Sequence, residues 1–278
     1  MSFTLKNRLV GGDRAFIIAN IALNHDGNYT RCLKLMDEAA AHSADAFTIR
    51  FSLTEPGNLT IEGIEVVAMH CEERGYAWIG SPDSIEAADV LDAFGAPAFK
   101  VASRYLTRFD LIKHLSTLEK RVFLSTGGRS SGLYDDVERS LQHVHPAKTV
   151  LLQCTSVFPC PEDALNLGVI SAWRFAAQDP WHDPDEDFCV GLSDHVMGYR
   201  NLHCAMAYAA GARVFERHYG FQCVAGIRRG FEMEMGDLAA MRNMLDRAQL
   251  IVGASEKTVL PIELPFIERT DESNAEVS

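Results

Sequence analysis

Short runs of apolar, β-branched and aromatic residues recur along the chain, and a stretch with helical spacing of apolar positions follows each of them. The first run, Phe16–Ile21, precedes a helix expected from about Thr30 to His42, with Leu33, Met36, Ala39 and Ala40 on one face. The second, Ala46–Phe51, leads through a loop containing Pro56 and Gly57 to a helix near Ile64–Arg74. The third is Ala77–Gly80. Ser84 then offers a cap to a helix running to Phe94, with Glu86 in its first turn. Runs at Ala98–Val101, Val122–Ser125, Val150–Gln153, Cys189–Leu192 and Arg213–Glu216 complete a set of eight. Helices are expected from about Phe109 and over Tyr134–His143, Asn166–Ala177, Gly198–Ala210 and Asp237–Ile251. Eight strand–helix alternations with short connections call for parallel strands, and eight parallel strands close into a (β/α)8 TIM barrel. An open, doubly wound sheet is the alternative topology. No linker rich in Pro, Gly or Ser divides the chain, so residues 1–267 read as one domain and the acidic stretch 268–278 as a disordered tail.

Polar residues gather where these strands end. Asn20, Asn24 and His25 follow the first; Thr48 and Arg50 lie on the second, Ser81 and Asp83 after the third, Lys100 and Ser103 at the fourth. Ser125–Gly128, Gln153–Ser156, Ser193–His195 and Glu216–His218 end the remaining four. In a barrel all these ends share one face, where such folds carry their chemistry. A lone histidine there is most simply a hydrogen-bonded core residue. His195 and His218 follow adjacent strands, so their imidazoles can meet on one divalent ion with positions open for substrate. His25 is either an acid–base group or a turn-fixing residue, and the remaining histidines read as surface residues on helices and loops. Lys100 sits between apolar neighbours inside a strand, so it needs an anionic partner, supplied by a substrate or by a neighbouring Glu. Ser125–Gly128 offers hydroxyls and backbone amides to an anion but lacks the lysine and spacing of a Walker loop.

Composition narrows the function classes. The 278 residues approach the roughly 250 typical of such a barrel. A hydrophobic share of 47% is enough for a sizeable core. The formal net charge of -12 argues against nucleic acid or an anionic membrane as partner. The seven cysteines are odd in number and scattered, with no Cys-x-x-Cys, which points to reduced thiols in a cytoplasmic protein without structural zinc. Residues 1–14 carry no apolar leader segment, and no apolar run approaches a membrane span.

The ordered set Ile17–Gly27, Ala44–Ala46, Gly95–Ser103, Leu124–Gly127, Gln153–Ser156, Gly191–His195 and Glu216–His218 resembles the sialic acid synthase (N-acetylneuraminate synthase) family across about residues 14–255. The resemblance implies a barrel that condenses phosphoenolpyruvate with an aldehyde, usually an amino sugar, using a divalent metal such as Mn2+ or Mg2+. Water attacks C2 of the enolpyruvate, C3 adds to the aldehyde, and phosphate leaves. It further implies that His195 and His218 hold the metal, that Lys100, Ser103, Ser125 and Ser193 contact phosphoenolpyruvate, and that a homo-oligomer forms.

Departures from that pattern mark the site as edited. Asn20 stands where the family usually has a Glu thought to act in acid–base chemistry, and an amide cannot titrate. The family lysine on the second strand aligns with Thr48, and the following glutamine with Arg50. Arg50 shares a face with Thr48 and could supply the missing cation as a bidentate anion clamp. Ser156 and Phe158 replace polar residues after the sixth strand, and the segment 54–63 is shorter than its counterpart. Residues 225–230 lack the family's Pro-rich motif; Arg228 and Arg229 there suggest an acceptor bearing a carboxylate or phosphate, unless they are simply solvated. The family's antifreeze-like second domain is absent from the sequence, which argues against N-acetylmannosamine as the acceptor. Asp26, Asp83 and Glu234 are candidates for a general base. Three functions therefore compete: a phosphoenolpyruvate-dependent synthase, with His25, Asn20 and Lys100 as catalytic candidates; a metal-dependent lyase, aldolase or isomerase that uses no phosphoenolpyruvate; and a non-catalytic binding barrel.

Overall fold

Successive side chains of a strand point to opposite faces, and in this chain the two faces of each barrel strand enter two separate apolar cores. The computed structural model describes residues 2–128, 134–176, 188–197, 201–220 and 232–264. Eight parallel strands close the barrel: β3 (Phe16–Ala22), β4 (Ala46–Phe51), β5 (Ala77–Pro82), β6 (Ala98–Val101), β7 (Arg121–Ser125), β8 (Thr149–Cys154), β9 (Cys189–Asp194) and β10 (Val214–His218). The last pairs with the first through Val214↔Phe16 to His218↔Asn20. The helices between and after them are α1 (Tyr29–Ala41), α2 (Ile61–Arg74), α3 (Ile85–Ala93), α4 (Phe109–Thr117), α5 (Tyr134–Leu141), α6 (Gly168–Ala176), α7 (Leu202–Ala210) and α8 (Met235–Val252). Their starts are set by local chemistry. Asn28, Thr60 and Ser84 accept hydrogen bonds from the backbone N–H groups of Arg31, Gly63 and Ala87, satisfying donors that the first helical turn leaves open.

Outward strand residues, among them Ile17, Phe47, Trp78, Phe99, Leu124 and Phe215, pack beneath the helices. Inward residues, among them Phe16, Ile18, Ile79, Phe123, Leu152 and Val214, fill the barrel. Each fully buried side chain of this size contributes roughly 1.5–3 kcal/mol over its exposed state, which commits the register because a one-residue slip would exchange the two faces. Gly191 occupies an inward position where no side chain fits: a Cβ there would lie 2.4 Å from the Val214 carbonyl oxygen.

One element departs from expectation. The polar-looking residues before Arg14 form an antiparallel hairpin, β1 (Phe3–Leu5) and β2 (Arg8–Val10), whose Phe3, Leu5 and Val10 join the inner core. Phe3 meets Phe123 edge-on with centroids 6.5 Å apart, and the Arg121 guanidinium lies over its ring at 4.2 Å. The hairpin thus plugs the amino-terminal mouth and leaves the carboxyl ends of the strands open. Six described cysteines are buried and unpaired, and no helix among the described residues is long and apolar enough to cross a membrane. Residues 265–278, with the expected acidic tail, lie outside the described residues.

Candidate active site

Along the inward face of each strand the residues change from apolar to polar toward the carboxyl end. Phe16 and Ile18 give way to Asn20, Ala46 to Thr48 and Arg50, Ala98 to Lys100, and Val214 to Glu216 and His218. The polar ends surround a cavity of about 630 Å3 that includes Asn20, Thr48, Arg50, Lys100, Ser103, Ser193, His195 and His218 in its lining. Arg104, Cys154, Ser156 and Phe158 also line it. Its charged lining is basic: Arg50, Lys100 and Arg104 face it, and no carboxylate does among the described residues.

The partner of Lys100 is Glu216, the neighbouring-Glu option. The two form a buried ion pair, and Glu216 also accepts hydrogen bonds from Thr48 Oγ1 and Ser193 Oγ, each at 2.9 Å. Four strands are thereby tied together beneath the cavity, and the hydroxyls satisfy carboxylate lone pairs that burial would otherwise leave costly.

Asn20 Oδ1 accepts from the Ala22 N–H at 3.0 Å, holding Ala22 at φ 47° where the β3–β4 register shifts. Arg50 pairs with Glu55 of the following loop. Burial, and then the neighbouring Arg104 charge, lower its pKa, against Tyr105 and Asp83, which raise it. Ser103 Oγ accepts from the Gly127 N–H at 3.0 Å. A Cβ on Gly127 would fall 2.4 Å from Ser156 Oγ, so a larger residue there would have to displace that hydroxyl. Ser125 is buried next to this loop, and its Oγ has no hydrogen-bond partner among the described residues. Arg228 and Arg229 lie outside the described residues.

His25 is fully buried and is not among the residues that line the cavity. Its Nδ1 accepts from the Gly27 N–H at 3.1 Å, and burial lowers its pKa to about 4, so the ring is neutral and shapes the turn into α1. Asp26 and Glu234 are exposed, Asp83 is half-buried, and none of the three lines the cavity. Glu234 instead caps α8.

His195 and His218 face one another across the wall, with ring centroids 5.3 Å apart. Phe158 packs on both, at 4.0 Å and 6.0 Å. His195 Nδ1 lies 3.0 Å from the Thr155 carbonyl oxygen. A proton on Nδ1 serves that bond and leaves the lone pair on Nε2. Burial raises the Cys154 thiol beside it, but hydrogen bonds with His195 and Ser103 and the Lys100 charge outweigh burial and bring its pKa below the ordinary value.

On the helix-facing side of the same strand ends, Asp194 and Arg217 form a fully buried ion pair at 3.0 Å. His203 corrects the expectation that the remaining histidines are surface residues: it is 4% exposed on α7, with Nε2 2.7 Å from Asp194 Oδ2. Burial disfavours its charge, but the hydrogen bond to Asp194 and the neighbouring Cys204 outweigh burial and raise its pKa to about 10. Asp194, His203 and Cys204 bring donor atoms within 4.8 Å of one another. The Arg217 guanidinium already neutralises that carboxylate, and a cation added there would face two positive neighbours. This cluster is a salt-bridge network rather than a metal site.

A closed eight-stranded barrel with a basic, histidine-edged cavity at the carboxyl ends of its strands defines a TIM-barrel fold whose candidate site lies where such folds carry their chemistry. The chain belongs to the NeuB family, whose model matches residues 33–257. Its relatives include the spore coat polysaccharide biosynthesis protein SpsE of Bacillus subtilis, 24% identical over 94% of this chain and 79% of the relative. N,N'-diacetyllegionaminic acid synthase of Campylobacter jejuni is 25% identical over 74% of this chain and 67% of its own. N-acetylneuraminate-9-phosphate synthase of Homo sapiens is 24% identical over 96% and 79%. The crystal structure of N-acetylneuraminic acid (sialic acid) synthetase from Leptospira borgpetersenii, in complex with citrate, shares the fold. Its TM-score is 0.84 at 24% identity, over 98% of this chain and 96% of that one.

Proposed function

We propose that the protein condenses phosphoenolpyruvate with an aldehyde, a sugar or sugar-like acceptor, to a 2-keto-3-deoxy acid with release of inorganic phosphate. The carrying observation is electrostatic: a chain of net charge -12 turns Arg50, Lys100 and Arg104 into one cavity, while the carboxylates that pair with Lys100 and Arg50, Glu216 and Glu55, stand outside its lining. Phosphoenolpyruvate carries a carboxylate and a phosphate, and cations held in a partly desolvated site stabilise both.

His195 and His218 fit a divalent ion, Mn2+ or Mg2+: two imidazoles converge on one side of the cavity, and the Thr155 carbonyl orients one of them. Held there, it would polarise the aldehyde carbonyl. Lys100 and Arg50 neutralise the carboxylate and phosphate of phosphoenolpyruvate, and Ser103, Ser193 and the Gly127 loop orient it. Glu216 holds the Lys100 ammonium at a defined point beneath the substrate. As C3 bonds to the aldehyde carbon, the carbonyl π pair moves onto the acceptor oxygen. Water adds at C2, and one of its protons ends on that oxygen and the other on phosphate. The C2–O bond to phosphate breaks as the ketone forms, while Lys100 and Arg50 stabilise the departing phosphate. Asn20 binds and orients without exchanging a proton.

Phosphate release from Mn2+-loaded protein tests the proposal, with phosphoenolpyruvate and a panel of aldoses, sugar phosphates and acidic aldehydes. Release is expected to require both an acceptor and His195; release that persists in His195→Ala would refute it. The neutral Asn20 and Thr48 in the cavity support a second reading, a metal-dependent lyase, aldolase or isomerase, whose signature is turnover of 2-keto acids without phosphoenolpyruvate.

A further inference from the structure

Arg217 and Asp194 sit one residue from His218 and His195, and consecutive strand residues point to opposite faces. The two histidines therefore turn toward the cavity while this ion pair turns toward the helices. Arg217↔Asp194 is also the last register pair of the β9–β10 ladder, so beyond it no described backbone pairing joins the two histidine-bearing segments to each other. Side chains take over there. Asp194 Oδ1 accepts from the Val196 N–H at 2.8 Å, closing the turn that contains His195. Arg217 Nη2 donates to the Val196 carbonyl on the far side of the same turn, and Nη1 donates to Asn201 Oδ1 at 3.2 Å. His203 Nε2 meets Asp194 Oδ2 at 2.7 Å, anchoring the pair to α7. All three charged side chains are 1–4% exposed.

We propose that Asp194, Arg217 and His203 are positioning residues for the metal-binding pair: their network grips the 195–196 turn and the end of β10, so that the two imidazoles converge on one cation. The proposal rests on His195 and His218 holding the metal. Its chemistry is specific. Arg217 needs a planar fork to reach Asp194, Val196 and Asn201 together, which a lysine cannot do. Asp194 uses both carboxylate oxygens, Oδ1 on the Val196 N–H and Oδ2 on Arg217 and His203, which an amide cannot do.

The test is calorimetric titration of Mn2+ into metal-free protein, with phosphoenolpyruvate titrated into metal-free protein as the control. Wild type should bind Mn2+ and His195→Ala should not; a wild type that binds none, or a His195→Ala that binds equally, overturns the metal reading and the positioning role with it. With that control met, Asp194→Asn and Arg217→Lys should each weaken Mn2+ binding about tenfold or more, as loss of outer-shell support does elsewhere. Their metal-free phosphoenolpyruvate affinity should stay within about twofold. Mn2+ affinity equal to wild type in a variant with native circular dichroism overturns the positioning role alone. His203→Gln keeps a hydrogen-bond donor at the rim of the network, and it decides the question by the same readout if the other two do not fold.

Discussion

Replacing Lys100 by Met would remove one charge of the buried pair and leave the Glu216 carboxylate, 1% exposed, with only the Thr48 and Ser193 hydroxyls. Those two bonds exist already in the wild type, so they do not offset the loss. Removing one partner of a buried ion pair costs about 3–5 kcal/mol, because the surviving charge stays desolvated. At about 2–4 °C per kcal/mol for a chain of this size, the melting temperature should fall by about 6–20 °C. Glu216→Gln should cost less, about 1–3 kcal/mol, because the stranded Lys100 faces the cavity and can draw water or an anion. The double variant removes both charges while Thr48 and Ser193 still meet an amide oxygen, so it should be more stable than Lys100→Met alone. Urea unfolding of all four proteins, followed by circular dichroism, yields the coupling free energy. Additive effects within about 0.5 kcal/mol would show that the two charges do not act as a unit and would refute the reasoning.

The folded-state pKa of His203, near 10, lies above the ordinary 6.5, so its stabilising contribution is full below about pH 6.5 and lost as pH rises through about 10. His203→Gln should flatten the stability–pH curve across that window, and an unchanged slope would contradict the assignment. Arg50→Ala should weaken phosphoenolpyruvate binding about tenfold to a hundredfold, for a charge-assisted contact of roughly 1.5–3 kcal/mol. Unchanged affinity in kinetics would remove Arg50 from the anion site. Gly191→Ala places a Cβ 2.4 Å from the Val214 carbonyl oxygen and should destabilise by about 1–3 kcal/mol or more, measured by thermal melting. Ser84→Ala should cost about 1 kcal/mol through loss of the α3 cap; a change under about 0.3 kcal/mol would show that the cap contributes nothing net.

What the sequence determined by itself is local in character. Apolar runs separated by helical spacing give the count of eight strands, and Ser84 and Phe109 mark helix starts within a residue of where they fall. Strand parity alone turns Thr48, Arg50, Lys100 and Ser193 to one side and places His195 and His218 on adjacent strand ends. The hairpin before Arg14 is not legible in the sequence, because three-residue strands carry too little alternation and their burial is conferred by the barrel mouth they plug. His203 read as a surface helix residue, since nothing near it in the chain announces that its helix face meets Asp194 nine residues earlier. Lys100 demanded a counter-charge, but the choice of Glu216, 116 residues away, belongs to barrel closure. The same closure brings Arg104 beside Arg50 and stacks Phe158 on the two histidines. Periodicity tells each residue which face it takes. Which partner it meets there is decided only when β10 pairs with β3 and distant strand ends share one small volume.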